Sequence, residues 1–364
     1  MAKPLKILLI ILLILVLIVG GYAAYLFTSY YRVEDNQELT VLGVAADGTA
    51  VSADSDTPYS VTAWNIGFAA YTDQFSFFMD GGEYARAFSE EAVISNMEEI
   101  SSELVSYGSD FYLIQEVDVD ATRSYHVNQK DILWKALIDD SGLTKRFTFA
   151  QNYDSGYLFY PFTEPHGKSL AGLMTFSDYE ITSGLRRSLP IQTDFAKFFD
   201  LDRCYAINRI PVDNGKELVL INFHLSAYTT DPTIANQQLE MIYEDIRAEY
   251  EKGNYVICGG DFNKDLLGDS SRYFGVSGED FSWAQSFPFD SLPEGFNLVA
   301  PFDEDIPVPS CRNADAPWDP ETNFQITIDG FIVSDNVEVV ASRVVDTQFR
   351  YSDHNPVQME FVLK

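Results

Sequence analysis

One long unbroken apolar run opens the chain, and apolar positions at two shorter periods come after it. From Ile7 to Phe27 no residue is charged. These 21 residues, at 1.5 Å rise, give about 31 Å of helix, the thickness of a bilayer's hydrocarbon core. The segment is expected to span a membrane. Lys3 and Lys6 precede it and Glu34 and Asp35 follow it, so the positive-inside bias predicts residues 1–6 in the cytoplasm and the rest outside, in a single-pass protein of the cell membrane. The rival reading is a secretory signal cleaved near Gly21-Tyr22-Ala23, for which the uninterrupted core Ile7 to Val19 is at the long end. Residues 28–58 pass from Tyr30 and Tyr31 into an Asp/Ser/Thr/Gly stretch, Ala45 to Pro58, without sustained periodicity. They read as an extracytoplasmic linker with room for one hairpin.

From Tyr59 the pattern changes to short strand-like runs separated by longer helix-like ones. Strands are expected at Tyr59 to Ile66, Phe111 to Ile114, Phe147 to Ala150, Leu170 to Phe176, Cys204 to Val212 and Glu217 to Phe223. Four more are expected at Tyr255 to Cys258, Ile326 to Val333, Val337 to Val345 and Pro356 to Leu363. Glu83 to Tyr107, Gln129 to Ile138 and Thr233 to Glu251 carry apolar residues at three- and four-residue spacing and read as helices. Asp213-Asn214-Gly215 between two apolar runs predicts a hairpin, so part of the sheet is antiparallel. Leu266 to Asn323 is rich in Phe, Trp, Pro, Asp and Ser with weak periodicity, and reads as an irregular insertion near a site. No internal repeat of fixed period is present.

Composition narrows the class. With 46% hydrophobic and 14% aromatic residues, the 364-residue chain has apolar mass for one large domain, residues 59–364, behind its anchor. The formal charge of −31, from 55 acidic against 24 basic side chains, repels a polyphosphate backbone, so nucleic acid is a disfavoured partner. The same acidity suits a protein that gathers divalent cations, which prefer carboxylate oxygens. Cys204, Cys258 and Cys311 form no CxxC pair and imply no disulfide framework; Cys204 and Cys258 read as buried thiols.

Chemistry-bearing residues fall at the ends of the strand-like runs: Trp64-Asn65, Gln115-Glu116, Asn222 to Ser226 around His224, and Gly259-Gly260-Asp261-Phe262-Asn263. Near the C-terminus come Ile328-Asp329-Gly330 and Ser352-Asp353-His354-Asn355-Pro356. Taken singly, each has an ordinary reading as a turn former, a solvated strand end or a helix cap. Together they supply what phosphoester hydrolysis requires: oxygen ligands for a hard cation, a base for the attacking water and a donor for the developing charge. Glu116, Asn65 and Asp353 are the candidate ligands and suit Mg²⁺ better than zinc. His354, next to Asp353 and with Asp329 as a carboxylate to fix its tautomer and hold it as imidazolium, makes an Asp-His pair. Asp261 and Asn263 can face one point if the backbone bends, which Gly259-Gly260 permits.

In this order the motifs resemble the endonuclease/exonuclease/phosphatase superfamily, over roughly Ser60 to Lys364. The resemblance implies an α/β four-layer αββα sandwich of two mostly antiparallel sheets with its site at one open end. It implies Glu116 as the principal Mg²⁺ ligand, with Mn²⁺ as a substitute, and Asn65 and Asp353 completing the shell or a second site. His354 oriented by Asp329 becomes the base or transition-state donor, Asp261 handles water or leaving-group protonation, and Asn263 holds the phosphate. His224 is similar to the general-acid histidine of deoxyribonuclease I and the sphingomyelinases. Thr175 to Ile181 departs from the family's Arg- and Pro-containing pattern by carrying Asp178 and Glu180. Arg186-Arg187 and Arg123 are the nearest cations for a substrate phosphate, and His126, shortly after Glu116, is a candidate lining residue.

The expectation is a monomeric, membrane-anchored phosphoesterase acting at the outer surface on a small or lipid-headgroup ester, with the aromatics Phe281, Trp283, Phe287, Phe289, Phe296 and Trp318 dipping into lipid, covering a substrate or packing the insertion. An anchored extracellular nuclease and an inactive surface binding module are the alternatives.

Overall fold

Alternation within the strand-like runs sends successive side chains to opposite faces of two stacked sheets. The computed structural model describes residues 3–43, 51–140, 145–193, 195–198, 201–227, 232–278, 281 and 283–364. Numbered along the chain, the strands of the first, seven-stranded sheet lie in the order β1 (Gln37–Leu39), β6 (Ser183–Ser188), β7 (Cys204–Pro211), β8 (Glu217–His224), β9 (Tyr255–Asp261), β13 (Asp329–Ser334) and β10 (Phe296–Val299). The second, six-stranded sheet runs β14 (Val337–Val344), β15 (Val357–Leu363), β2 (Pro58–Asn65), β3 (Phe111–Asp118), β5 (Leu170–Ser177) and β4 (Arg146–Asp154). A short ribbon joins β11 (Cys311–Arg312) to β12 (Gln325–Ile326). The strand pairs are antiparallel except β8/β9 and β2/β3, so each sheet is mixed around a single parallel pair.

Val61, Ala63, Phe111 and Leu113 of the second sheet meet Leu218, Leu220, Ile257 and Phe331 of the first in the shared core. The intervening residues face outward. Tyr112 and Ile114 pack under Val93, Met97, Ile100 and Leu104 of α2 (Glu90–Tyr107), beside α3 (Gln129–Trp134). Val219, Ile221 and Cys258 pack under Leu239, Ile242 and Ile246 of α4 (Pro232–Glu251). Each fully buried Leu, Ile or Val contributes roughly 1.5–3 kcal/mol, so these three interfaces hold the αββα order together. The short α5 (Ser271–Phe274) lies in the insertion.

Helix α2 begins seven residues later than its periodicity predicts, because the Ser89 hydroxyl accepts from Ala92 N at 3.1 Å and Glu90 and Glu91 open the first turn. Gly108, left-handed at φ 59°, ends it. Helix α3 passes into a π-helical turn, Lys135–Asp140. The expected hairpin is present between β7 and β8, with Val212 N bonded to Lys216 O at 2.9 Å.

The long apolar helix is α1, Lys3–Ser29, and it is long and apolar enough to cross a membrane. The next residues correct the expectation of a loose linker over 28–58, because they are tied to both sheets. Arg32 Nε bonds Asp202 at 2.6 Å, and β1 pairs with β6 of the first sheet. Leu42 then exchanges both backbone hydrogen bonds with Phe147 on β4 of the second sheet, each at 2.9 Å. Arg186, fully buried, donates to the carbonyls of Gln151, Val33 and Glu34 and fastens this strap to both sheets. The polar stretch that begins at Ala45 lies outside the described residues as far as residue 50; beyond it, Ala53 N bonds Pro211 O at 2.9 Å.

Strands β1, β6, β10 and β11 lack the alternating apolar pattern by which a sequence reveals a strand. Charged or short, they are placed by pairing with neighbouring strands. The insertion's aromatics mostly pack. Phe287 and Phe296 are buried, Phe281 stacks on Phe324 at 4.8 Å and Trp318 meets Phe349 edge-on at 4.6 Å, while Phe289 is exposed.

Candidate active site

The two parallel pairs set the site, because parallel neighbours end at the same rim. Asn65 closes β2 opposite Gln115 on β3, and His224 closes β8 opposite Asp261 on β9. Across the first sheet Asp261 is also the register partner of Asp329, which opens β13. Just below the rim Gln115 Nε2 donates to Asn222 Oδ1 at 2.8 Å, a buried tie between the sheets.

Two backbone irregularities aim the side chains. The β3/β5 register breaks between Ile114 and Val117, and Glu116 there takes φ 56°. Such a bulge re-aims one residue, and a left-handed non-glycine residue costs about 1–3 kcal/mol that its surroundings must offset. Gly260 has φ 146°, and a Cβ there would lie 2.1 Å from Phe223 O, so only glycine lets β9 reach Asp261 in register beside β8.

Five of the expected residues converge at this rim. His354 Nδ1 pairs with Asp329 Oδ2 at 2.9 Å, an oxygen that also accepts from Ser310 Oγ at 2.7 Å. His354 Nε2 lies 3.7 Å from Asp261 Oδ2, and His224 Nε2 lies 3.4 Å from the same atom. Asn263 N donates to Asp261 Oδ1 at 2.8 Å, while its side-chain amide donates to Leu225 O. Ser352 and Trp64 fix the His354 loop: Ser352 Oγ donates to Asn65 O at 2.8 Å and Trp64 Nε1 to His354 O at 2.8 Å.

Burial and charge then divide the protons. Burial works against a charged His354, but Asp329, followed by Cys311 and Asp261, raises its pKa well above the usual imidazole value. Burial lowers the pKa of His224 far below that value, and the positive charges of Arg203, His354 and Arg123 add to the effect. Asp261 is raised by burial and by Asp329, against the pull of His354. Asp353 is pushed up to about 6 by burial, opposed by His354 and reinforced by Glu116. Burial and these charges therefore favour the neutral form of His224 beside Asp261.

The remaining candidates are more scattered. Asn65, expected as a metal ligand, donates its amide to Glu116 Oε1 at 3.1 Å and to Asp261 Oδ2 at 3.2 Å, while its oxygen accepts from Gly67 N at 3.0 Å. The Gly67 N–H fixes which way the amide points, so Asn65 bridges two carboxylates. Arg123 lines the cleft, but its guanidinium is bound by Asp118 at 2.8 and 3.1 Å. Arg187 lies away from the cleft, held by Asp35 and Asp245. His126 is exposed and pairs with Asp120. Asp178 sits at the opposite end of its sheet from the rim, where it binds Lys145, so its departure from the family pattern does not touch the site.

The cleft, of about 140 Å³, is also lined by His166, Arg203, Cys311 and Arg312. None of these stands out in the sequence as a site residue. Arg312 donates to the carbonyls of Thr72, Phe75, Asn313 and Ala316, and Cys311 Sγ lies 3.6 Å from His354 Nε2. Ser310-Cys311-Arg312 lies behind an aperiodic segment, and no local pattern reveals its distant partners.

The donor set suits a divalent cation. Asp261 and Asp329 bring carboxylate oxygens within 4.8 Å of each other, and Asp329 Oδ1 is buried without a hydrogen-bond partner. Glu116 and Asp353 add hard oxygens on the other wall, and their mutual repulsion is the kind a bound cation relieves.

Comparison with known proteins accords with this geometry. The chain is similar in structure to an endonuclease/exonuclease/phosphatase from Beutenbergia cavernae (TM-score 0.57, 18% identity, 84% of this chain and 72% of that one). It is similar to the human Nocturnin catalytic domain with bound sulfate (TM-score 0.52, 16%, 90% and 97%) and to an endonuclease/exonuclease/phosphatase from Bacteroides vulgatus (TM-score 0.52, 14%, 85% and 100%). No curated protein matches the sequence. The model of the Endonuclease/Exonuclease/phosphatase family matches residues 63–354, which takes in every strand-end residue of the rim from Asn65 to His354, and the chain belongs to that family of metal-dependent phosphoester hydrolases.

Proposed function

We propose that the protein is a Mg²⁺-dependent phosphoesterase, carried on a membrane-spanning helix with its catalytic domain outside the cytoplasm, acting on a small-molecule or lipid-headgroup ester. The observation that carries this reading is the placement of His354 between Asp329, at 2.9 Å, and Asp261, at 3.7 Å, across one cleft from Glu116 and Asp353. Glu116 and Asp353 would hold the cation, which when bound supplies positive charge to the phosphoryl oxygens. Asp261 accepts the proton of the attacking water, and neutral His224 and Asn65 keep its carboxylate aimed. The imidazolium of His354, held by Asp329, gives its proton to the leaving oxygen as the bond from phosphorus to that oxygen breaks. Arg203 lines the same cleft, as do Arg123, bound by Asp118, and Arg312, bound by backbone carbonyls.

A small or lipid ester is favoured over nucleic acid because a net charge of −31 surrounds a cleft whose Arg123 and Arg312 are engaged internally. The test is hydrolysis of a chromogenic phosphodiester by the full chain. EDTA is expected to abolish turnover and Mg²⁺ to restore it, and turnover indifferent to EDTA would remove the metal from the reading. Release of headgroup from vesicles faster than digestion of plasmid DNA is the expected ranking, and the reverse would establish the nuclease instead.

A further inference from the structure

The last turns of α1 are packed against the catalytic domain. Leu26 is buried in a cluster with Leu158 and Phe198, and Tyr22 meets Phe159 edge-on at 5.1 Å. Tyr22 Oη donates to Tyr157 O at 3.2 Å, and Tyr157 N donates to Tyr25 Oη at 2.8 Å. At Gly156 the approach is closer still: a Cβ there would lie 2.7 Å from Ser29 Oγ. The loop of residues 156–168 is thus fixed against the helix, and its depth is set by the helix. Tyr22 lies five residues inside Phe27, the end of the apolar stretch, or about 8 Å along the axis. A segment touching Tyr22 lies at the boundary of headgroups and acyl chains, where interfacial elements bury to roughly 5–10 Å.

The loop's tip has the composition for that place. Phe159 is 48% exposed, Tyr160 60% and Phe162 85%, three large aromatic side chains in a row broken only by Pro161. Beside them Phe78, Met79, Leu158, Tyr160 and His166 line an apolar groove of about 350 Å³. Met79 and His166 also line the catalytic cleft, so groove and cleft share a wall. Burial pushes the His166 imidazole down to about 3, helped by Arg123, so this wall carries no charge at neutral pH.

We infer that the 156–168 loop seats its aromatic tip in the leaflet from which the C-terminal end of α1 emerges, and that the groove takes an acyl chain of a phospholipid whose phosphoester enters the cleft. This deepens the phosphoesterase reading and rests on it for the identity of the reaction, but not for the seat of the loop. The membrane-inserting aromatics are then Phe159, Tyr160 and Phe162, contributed by the β4–β5 connection rather than by the 266–323 insertion.

The test uses the full chain reconstituted in phosphatidylcholine vesicles. Because Cys204, Cys258 and Cys311 are buried, a Phe162→Cys variant can be labelled selectively with a polarity-sensitive fluorophore. The label is expected to be quenched by nitroxide-bearing lipid and shielded from aqueous iodide, with the opposite behaviour at Val340→Cys on β14. A label at residue 162 that iodide reaches as freely as at residue 340 overturns the seat. In the second arm, Phe159→Ser/Phe162→Ser is expected to slow release of headgroup from vesicle phosphatidylcholine about tenfold and to leave a soluble chromogenic diester within about twofold, since neither side chain lines the cleft. Equal loss on both substrates, or none on vesicles, overturns the lipid assignment. A wild-type chain that hydrolyses neither substrate defeats the phosphoesterase reading and with it the lipid assignment, while the fluorescence still decides whether the loop is in the membrane.

Discussion

At the rim the two parallel strand pairs make unlike contributions. The β2/β3 pair of the second sheet brings up Asn65 and, next to its register partner Gln115, Glu116, which is partly open to solvent, whereas the β8/β9 pair of the first ends in His224 and Asp261, both buried. Backbone geometry shows the same division. Glu116 is swung outward by a bulge with φ 56°, while Asp261 is held in strict register behind Gly260. One side is built to meet an ion from solvent and the other to hold protons out of it. His354 joins them, since its loop leads into β15 of the second sheet while its ring is bound by Asp329 of the first. Sandwiching two sheets with parallel centres therefore brings together two chemistries that neither sheet carries alone.

Mutations on the two sides can break this division. His354→Ala is expected to lower kcat by about 10³-fold with the Mg²⁺ requirement unchanged, because only the proton side is touched. A magnesium titration that shifts along with kcat would show the sides to be one unit. Asp118→Ala, at the end of β3, strands the buried Arg123 guanidinium and is expected to cost about 3–5 kcal/mol in chemical denaturation. Wild-type stability there would mean that Arg123 finds another partner. Asn65→Ala removes the bridge between Glu116 and Asp261 and should weaken activation by Mg²⁺ roughly 10–100-fold, as loss of a supporting partner does. If kcat alone falls, Asn65 belongs to the proton side.

The smallest effect serves as a control away from the rim. Against the cost of burial, hydrogen bonds from Arg209, Lys252 and Asn254 lower the Glu249 carboxyl from 4.5 to about 2. A depressed carboxylate stabilises the fold above its unfolded value and loses that contribution as pH falls from 4.5 through about 2. Glu249→Gln should thus lower Tm by a few degrees at pH 7, converge on wild type across that acid window and leave kcat unchanged. A change in kcat would extend the proton side as far as α4.

The sandwich is legible in the sequence wherever burial imposes a period. β2, β3, β7, β8, β9 and β15 alternate or run apolar because they pack against the core and the helices, edge strand β14 alternates with one face open, and their ends bring Asn65, Glu116, His224 and Asp261 into view. β1 and β6 stay hidden because pairing and the buried Arg186, rather than apolar side chains, hold them. Within the site, residue types are legible while partners are not. Arg123 and Arg187 look alike in sequence, yet one is enclosed by Asp118 and the other by Asp35 and Asp245. Asn65 offers the right oxygen, but an amide has two ends, and only the position of Gly67 N decides which end faces the carboxylates.

The strap behind α1 limits how the chain can be shortened. β1 covers the backbone edge of β6, and Leu42 closes onto β4, so a version trimmed past Leu42 to remove the lipophilic helix would uncover β6 at one side of the molecule. Bare edges recruit other strands, and such a fragment should self-associate where one that keeps residues from Arg32 onward stays dispersed.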